Sequence, residues 1–114
     1  FLPHYYSKSQ SCSAFIPPHI SVKAKKVSIA KKELPISTVV LDTGSNVILL
    51  SNKYKKIFRG DVDYKAHFVL EDKSLFGKSS LLFSDFIDED VVVIPTSFFS
   101  RLEIDYVNGR VCVN

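Results

Sequence analysis

Thr38-Val39-Val40-Leu41-Asp42-Thr43-Gly44-Ser45-Asn46-Val47-Ile48-Leu49-Leu50 sets a short polar turn between two apolar runs. Val39-Val40-Leu41 is uninterrupted and rich in β-branched residues, which predicts a strand buried on both faces, and Val47 to Leu50 reads the same way. The turn is thereby carried into the interior. A carboxylate there costs free energy unless its charge is hydrogen-bonded, paired or removed by protonation, so Asp42 points to chemistry. Thr43 and Ser45 bring hydroxyl donors, and Gly44 lets backbone approach the carboxylate closely. A plainer reading is an Asx-type turn in which Asp42 only binds local backbone N–H groups.

Upstream, His19-Ile20-Ser21-Val22-Lys23-Ala24-Lys25 and Lys26-Val27-Ser28-Ile29-Ala30 nearly alternate apolar and polar residues, the period of half-exposed strands. They predict a hairpin, after which Lys31-Lys32-Glu33-Leu34-Pro35 turns the chain. Residues 1–18 are rich in Ser, Tyr and Pro and end in Pro17-Pro18, so they read as an arm or linker ahead of one domain over 19–114.

Downstream, Ser51-Asn52 opens a short turn or helix that Arg59-Gly60 closes. Tyr64 to Leu70 and a strand from Leu75 past Gly77 flank the turn Glu71-Asp72-Lys73-Ser74. Leu81 to Ile87 and Val91 to Ile94 are two more strands, separated by Asp88-Glu89-Asp90. Pro95 to Leu102 reads as one helical stretch capped by Thr96 or Ser97. Asn108-Gly109, between Glu103 to Val107 and Arg110 to Val113, is a strong hairpin signal.

The 114 residues are one domain by length, and 46% hydrophobic content with nine Phe and five Tyr but no Trp or Met fits a mainly β fold. A net charge of +3 is too mild to argue for nucleic acid, and no aromatic residue alternates with the basic clusters at Lys23 to Lys26, Lys31-Lys32 and Lys53 to Lys56. No run reaches the ~18 apolar residues of a membrane span, and no signal peptide opens the chain. It begins with Phe1, as expected of a product released from a longer precursor. Cys12 and Cys112 allow one disulfide, but a small secreted domain carries more cysteines, so free thiols are the better expectation, in an intracellular or particle-associated setting rather than a secreted one. His4, Cys12 and His19 match no zinc spacing and His67 reads as an exposed strand residue, so neither a metal nor a cofactor is expected.

Asp42-Thr43-Gly44-Ser45 in its apolar frame resembles the signature of the aspartic proteases. The tail resembles the retropepsin branch of that family: Val93-Ile94-Pro95, Phe98-Phe99 and Ile104-Asp105-Tyr106-Val107-Asn108-Gly109-Arg110 fall in the order of its closing strand, short helix and hairpin. Roughly residues 19–113 are covered. Pro95 departs from the pattern, where the family usually has glycine, and so brings a fixed φ and no donor beside the Asp42 loop. The resemblance implies a mainly β, single-domain, closed barrel-like fold with one short C-terminal helix and an obligate two-fold homodimer. It also implies an aspartic endopeptidase acting on extended peptides, as in polyprotein processing, with Glu71-Asp72-Lys73-Ser74 at the tip of the flap that closes over substrate. That tip is charged rather than glycine-rich.

Such hydrolysis uses two carboxylates sharing one proton, one as general base toward water and one as general acid toward the scissile carbonyl. The chain has one Asp-Thr-Gly, and none of Asp85, Asp88, Asp90 or Asp105 is followed by Thr/Ser-Gly in an apolar frame. The second carboxylate is therefore expected from Asp42 of another copy. By resemblance, Thr43 bonds across the dimer, Gly44 allows the carboxylates to approach, and Ser45 donates to the carboxylate. Val111-Cys112-Val113, as an unpaired terminal strand, and Phe15-Ile16 are the expected interface. The competing reading is a catalytically inactive dimerisation or peptide-binding module of the same fold. No nucleophile–base pair or phosphate loop supports another chemistry.

Overall fold

The structure is a computed structural model that describes residues 11–14 (as backbone), 20–42, 44–71, 73–99, 101–105 and 107–113. Among these the chain forms twelve strands: β1 (Ser11–Ala14), β2 (Ser21–Lys23), β3 (Lys26–Ile29), β4 (Lys32–Leu34), β5 (Thr38–Leu41), β6 (Ile48–Ser51), β7 (Tyr64–Val69), β8 (Ser74–Ser79), β9 (Leu81–Ser84), β10 (Val91–Ile94), β11 (Leu102–Asp105) and β12 (Arg110–Val113). They make three sheets in the orders β2-β5-β10-β6-β9, β4-β3-β7-β8 and β1-β12-β11. The fold is mainly β, as expected, but the sheets do not close into a barrel.

The five-stranded sheet is organised by β10, which runs parallel to β5 and antiparallel to β6 and so lies between them. The segment joining β5 to β6 must therefore arch over the end of β10. Val39 and Leu41 of β5, Val92 and Ile94 of β10 and Ile48 and Leu50 of β6 face inward and are buried. The alternate residues Thr38, Val40, Val91, Val93 and Leu49 are only half-buried. Burial of β5 on both faces, expected from its apolar run, is corrected here: one face packs on the core and the other borders a cavity.

The four-stranded sheet contributes Val27, Ile29, Leu34, Ala66, Phe68 and Leu75 to the same core. Its first hairpin is not the one expected. β2 pairs with β5, while β3 turns through Ala30-Lys31 and pairs with β4, so Lys32 to Leu34 is strand rather than turn. Both turn residues have positive φ, 53° and 66°, as a two-residue turn matched to strand twist requires. The second hairpin, β7 with β8, forms as the sequence predicts, and Gly77 within it is required by close packing. A Cβ there would lie 2.5 Å from the ring of Phe98, which is itself buried edge-on against Phe68.

The helical stretch expected over residues 95–102 shrinks to one 3-10 turn, Thr96–Phe98, and Leu102 begins β11. Neither Thr96 nor Ser97 caps it. Pro95 occupies the cap position without a side-chain hydrogen bond and accepts Phe98 N–H at 3.2 Å through its carbonyl. The expected turn after β6 forms as a second 3-10 turn, Asn52–Tyr54, with the Ser51 side chain accepting from Lys53 N–H. The Tyr54 hydroxyl there donates to the Glu89 carbonyl and pins the acidic turn.

In the three-stranded sheet β12 is the middle strand, flanked by β1 and β11. The expected unpaired terminal strand is thus corrected: its backbone groups are met on both sides within one chain, and Phe15-Ile16, the other part of the expected interface, lie outside the described residues. Cys112 is disulfide-bonded, which overturns the expectation of free thiols. The register explains why, since it sets Cys112 directly opposite Cys12, the chain's other cysteine, at a separation antiparallel neighbours share with disulfides. Counting cysteines missed what strand pairing brings together.

Candidate active site

Asp42 follows the last residue of β5, and its N–H donates to the carbonyl of Ile94 at 3.2 Å, fastening the loop to the end of β10. On that strand's other flank, Ile48 N–H donates to the hydroxyl of the buried Ser79 at 3.2 Å. Both ends of the arch are thus tied to sheet. Gly44 N–H donates to Oδ1 of Asp42 at 2.8 Å, and a Cβ on Gly44 would stand 3.4 Å from that oxygen. Glycine here keeps the carboxylate's approach open.

Ser45 does not take the role its position implies. Its hydroxyl donates to the Val47 carbonyl at 2.6 Å, and a hydroxyl has a single proton to give. The Ser45 backbone N–H reaches the Asp42 carbonyl, at 3.3 Å, rather than its carboxylate. In this chain the serine shapes the loop and the glycine serves the carboxylate. Thr43 lies outside the described residues.

Asp42 is half-buried and lines a cavity of about 730 Å³ whose apolar wall includes Val40, Leu49, Val91 and Val93. Ile87, the fully exposed Phe86 and Asp88 complete the rim. The sequence signal for this wall was present in the alternate positions of β5, β6 and β10, but a continuous apolar run conceals which face stays open. Among the described residues Asp88 is the other carboxylate on the rim. It adjoins Val91 at one end of β10, while Asp42 is fastened to Ile94 at the other end. The strand between them spans about 10 Å, too far for two carboxylates to share a proton.

Two of the other acidic candidates, Asp85 and Asp105, are engaged elsewhere. Asp85 accepts from the Asn52 side chain. Asp105 accepts Val107 N–H at 3.1 Å, Asn108 N–H at 3.2 Å and the Asn108 side-chain amide at 2.7 Å, and so builds the β11–β12 turn. The Asn108 side chain, then its backbone N–H, hold the Asp105 carboxyl below the ordinary value of 3.8.

Lys73 and Ser74, from the hairpin tip read as a flap, line a separate cavity beside the 3-10 turn with Phe98 and Phe99. Glu71 is exposed, and Asp72 lies outside the described residues. Pro95, the departure from the expected glycine, is fully buried. A proline at the start of a helical turn forfeits only an N–H that would have no helical partner, so the site accommodates it.

No protein-family model matches the chain, and no curated protein matches it by sequence. Its structure resembles that of a retropepsin-like aspartic protease from Rickettsia conorii, with a TM-score of 0.55 and 13% identity over 92% of this chain and 89% of that one. The fold is retropepsin-like. A foamy viral protease-reverse transcriptase, solved in complex with an RNA/DNA hybrid, aligns over 78% of this chain and 13% of its own, with 19% identity and a TM-score of 0.41. The retropepsin-like architecture puts the Asp42 loop, one β-branched strand end and one proline-led turn at the same edge of the five-stranded sheet. No helix among the described residues is long and apolar enough to cross a membrane.

Proposed function

We propose that the chain is an aspartic endopeptidase whose active unit is a pair of identical chains, each supplying one Asp42. The observation that carries this reading is the half-buried Asp42 carboxylate, held by the Gly44 N–H at the edge of an apolar cavity, in a retropepsin-like fold. The remoteness of Asp88 and the engagement of Asp85 and Asp105 favour a second chain as the source of the partner carboxylate.

In the paired state one carboxylate takes a proton from water as the oxygen attacks the scissile carbonyl carbon. The other, protonated, gives its proton to the carbonyl oxygen. Collapse of the tetrahedral intermediate breaks the C–N bond, and the leaving nitrogen takes up a proton from the pair. The wall formed by Val40, Leu49 and Val93 offers apolar surface to the side chains of an extended peptide. Two carboxylates so close bind their protons as a unit, so activity falls away both where the pair is fully ionised and where it is fully protonated.

Asp42→Asn tests the reading. The asparagine keeps an Oδ1 acceptor for the Gly44 N–H, so the melting temperature should stay within a few degrees of wild type. Peptide cleavage should fall by at least about 10²- to 10⁴-fold, and a statine-type inhibitor should protect only the wild type from unfolding. Cleavage undiminished in the variant ends the protease reading. Pairing of wild-type chains with neither cleavage nor inhibitor binding would leave the dimerising module in its place.

A further inference from the structure

The outer face of the four-stranded sheet carries three features that are each unfavourable for folding alone. Phe76 of β8 is 67% exposed, the most exposed aromatic residue within any described strand. It stacks on His67, its direct partner on β7, with ring centroids 4.1 Å apart and planes 11° from parallel. The Nε2 atom of His67 is buried with no hydrogen-bond partner among the described residues. Two residues along, on the same face, Lys65 stands directly opposite Lys78, and like charges in that relation repel. Neither lysine has an ion pair among the described residues.

Charge is concentrated in this sheet. Residues 25–34 and 64–79 hold seven lysines against three acidic residues, a surplus of four, while the rest of the chain holds eight basic against nine acidic residues. The mild net charge of +3 hides this separation. Local conflicts that gather on one face are the mark of a binding surface.

We propose that this face binds single-stranded nucleic acid. His67 covers one side of the Phe76 ring, which is still 67% exposed, and β8 is an edge strand of its sheet among the described residues. A base stacks on the exposed ring, and the strand's phosphates run past Lys65 and Lys78. Phe76 also borders a cavity of about 350 Å³ lined by Ser97 and Phe99, where the neighbouring nucleotide finds a second aromatic wall. An acidic peptide would satisfy the lysines but leave the ring unused. An anionic membrane needs apolar side chains free to insert, whereas this ring is held flat against an imidazole.

The test is fluorescence anisotropy of labelled oligouridylate and oligodeoxythymidylate of about twelve nucleotides, titrated with the full chain between about 50 and 200 mM salt. Polyglutamate and phosphatidylserine vesicles serve as the competing anions. Phe76→Ala should weaken oligonucleotide binding about tenfold or more, and Phe76→Trp should restore it. Lys65→Gln and Lys78→Gln should each reduce the slope of log affinity against log salt by about 0.7. Asp42→Asn should bind as wild type does, which separates this surface from the proposed protease site. Phe76 is mostly exposed, so its variants keep the fold, as a melting curve will check. Absence of binding, an unchanged affinity in Phe76→Ala, or polyglutamate or vesicles binding as well as the oligonucleotides would each overturn the proposal.

Discussion

The outer faces of the five-stranded and the four-stranded sheets differ in what their alternate residues leave open. On the first, Val40, Val93 and Leu49 lie in one cross-strand row, continued by Leu82, and the Asp42 carboxylate stands at the end of β5. On the second, the corresponding row runs Glu33, Ser28, His67, Phe76, with lysines on either side. The inner faces are alike, and both supply one shared core. The difference teaches that core formation fixed only half of each strand, and that the free half of each sheet was left for distinct chemistry. The first surface is an apolar row ending at a carboxylate; the second sets an aromatic pair among lysines.

Gly77 within the four-stranded sheet and Gly44 in the loop between β5 and β6 sharpen that contrast when replaced. Gly77→Ala drives a methyl group into the Phe98 ring, and overpacking of this kind destabilises by about 1–3 kcal/mol. Urea unfolding should show the midpoint fall. Gly44→Ala places its methyl 3.4 Å from Asp42 Oδ1, an ordinary contact at a residue without positive φ, so stability should change by no more than about 0.5 kcal/mol. Its cost should appear in peptide cleavage, since the methyl group occupies the carboxylate's approach. The reverse pattern, with Gly44→Ala unfolding the chain and Gly77→Ala harmless, would break the comparison of a structural with a functional glycine.

A gain of stability is expected in the four-stranded sheet. Ala30 and Lys31 both adopt a left-handed conformation that costs a non-glycine residue roughly 1–2 kcal/mol. Replacing them by Asn-Gly should raise stability by about 1 kcal/mol, read from the same unfolding curves.

The smallest effect concerns Asp105 and the third sheet. Its carboxyl is held below 3.8 in the fold by the Asn108 side chain and by backbone N–H groups. Its contribution is fully present above the unfolded value and is lost as pH falls through the lowered folded one. Asp105→Ala should therefore melt below wild type at neutral pH, with the gap closing in strong acid. A gap that persists or widens in acid would place the stabilisation elsewhere.

The Asp42 loop was legible because everything that makes it is contiguous: two apolar runs, a polar turn and a glycine within thirteen residues. The β7–β8 and β11–β12 hairpins were legible for the same reason. What escaped was set by pairing between distant strands. Asn108-Gly109, the strongest turn signal, belongs to a turn longer than two residues, with positive φ recorded at Gly109 alone of the pair. The true two-residue turn is Ala30-Lys31, which carries no turn signal at all. Insertion of β10 between β5 and β6, the register of Cys12 with Cys112, and the meeting of Lys65 with Lys78 beside Phe76 all depend on partners far along the chain. Lys65-Ala66-His67 and Phe76-Gly77-Lys78 do alternate in sequence, yet only the antiparallel register makes one surface of them. The Ser45 hydroxyl turns to the Val47 carbonyl, a local backbone partner that the residue pattern does not signal.

The claim on which the functional account stands is that one chain holds half of an active site, and mixing chains tests it most directly. Wild-type protein is combined with Asp42→Asn protein at constant total concentration, allowed to exchange partners, and assayed for peptide cleavage. If two Asp42 carboxylates are needed, mixed pairs are inactive and activity follows the square of the wild-type fraction, so an equal mixture retains about a quarter of the wild-type rate. Activity proportional to the wild-type fraction, with an equal mixture retaining about half, would mean that a single chain completes its own site and would contradict the account.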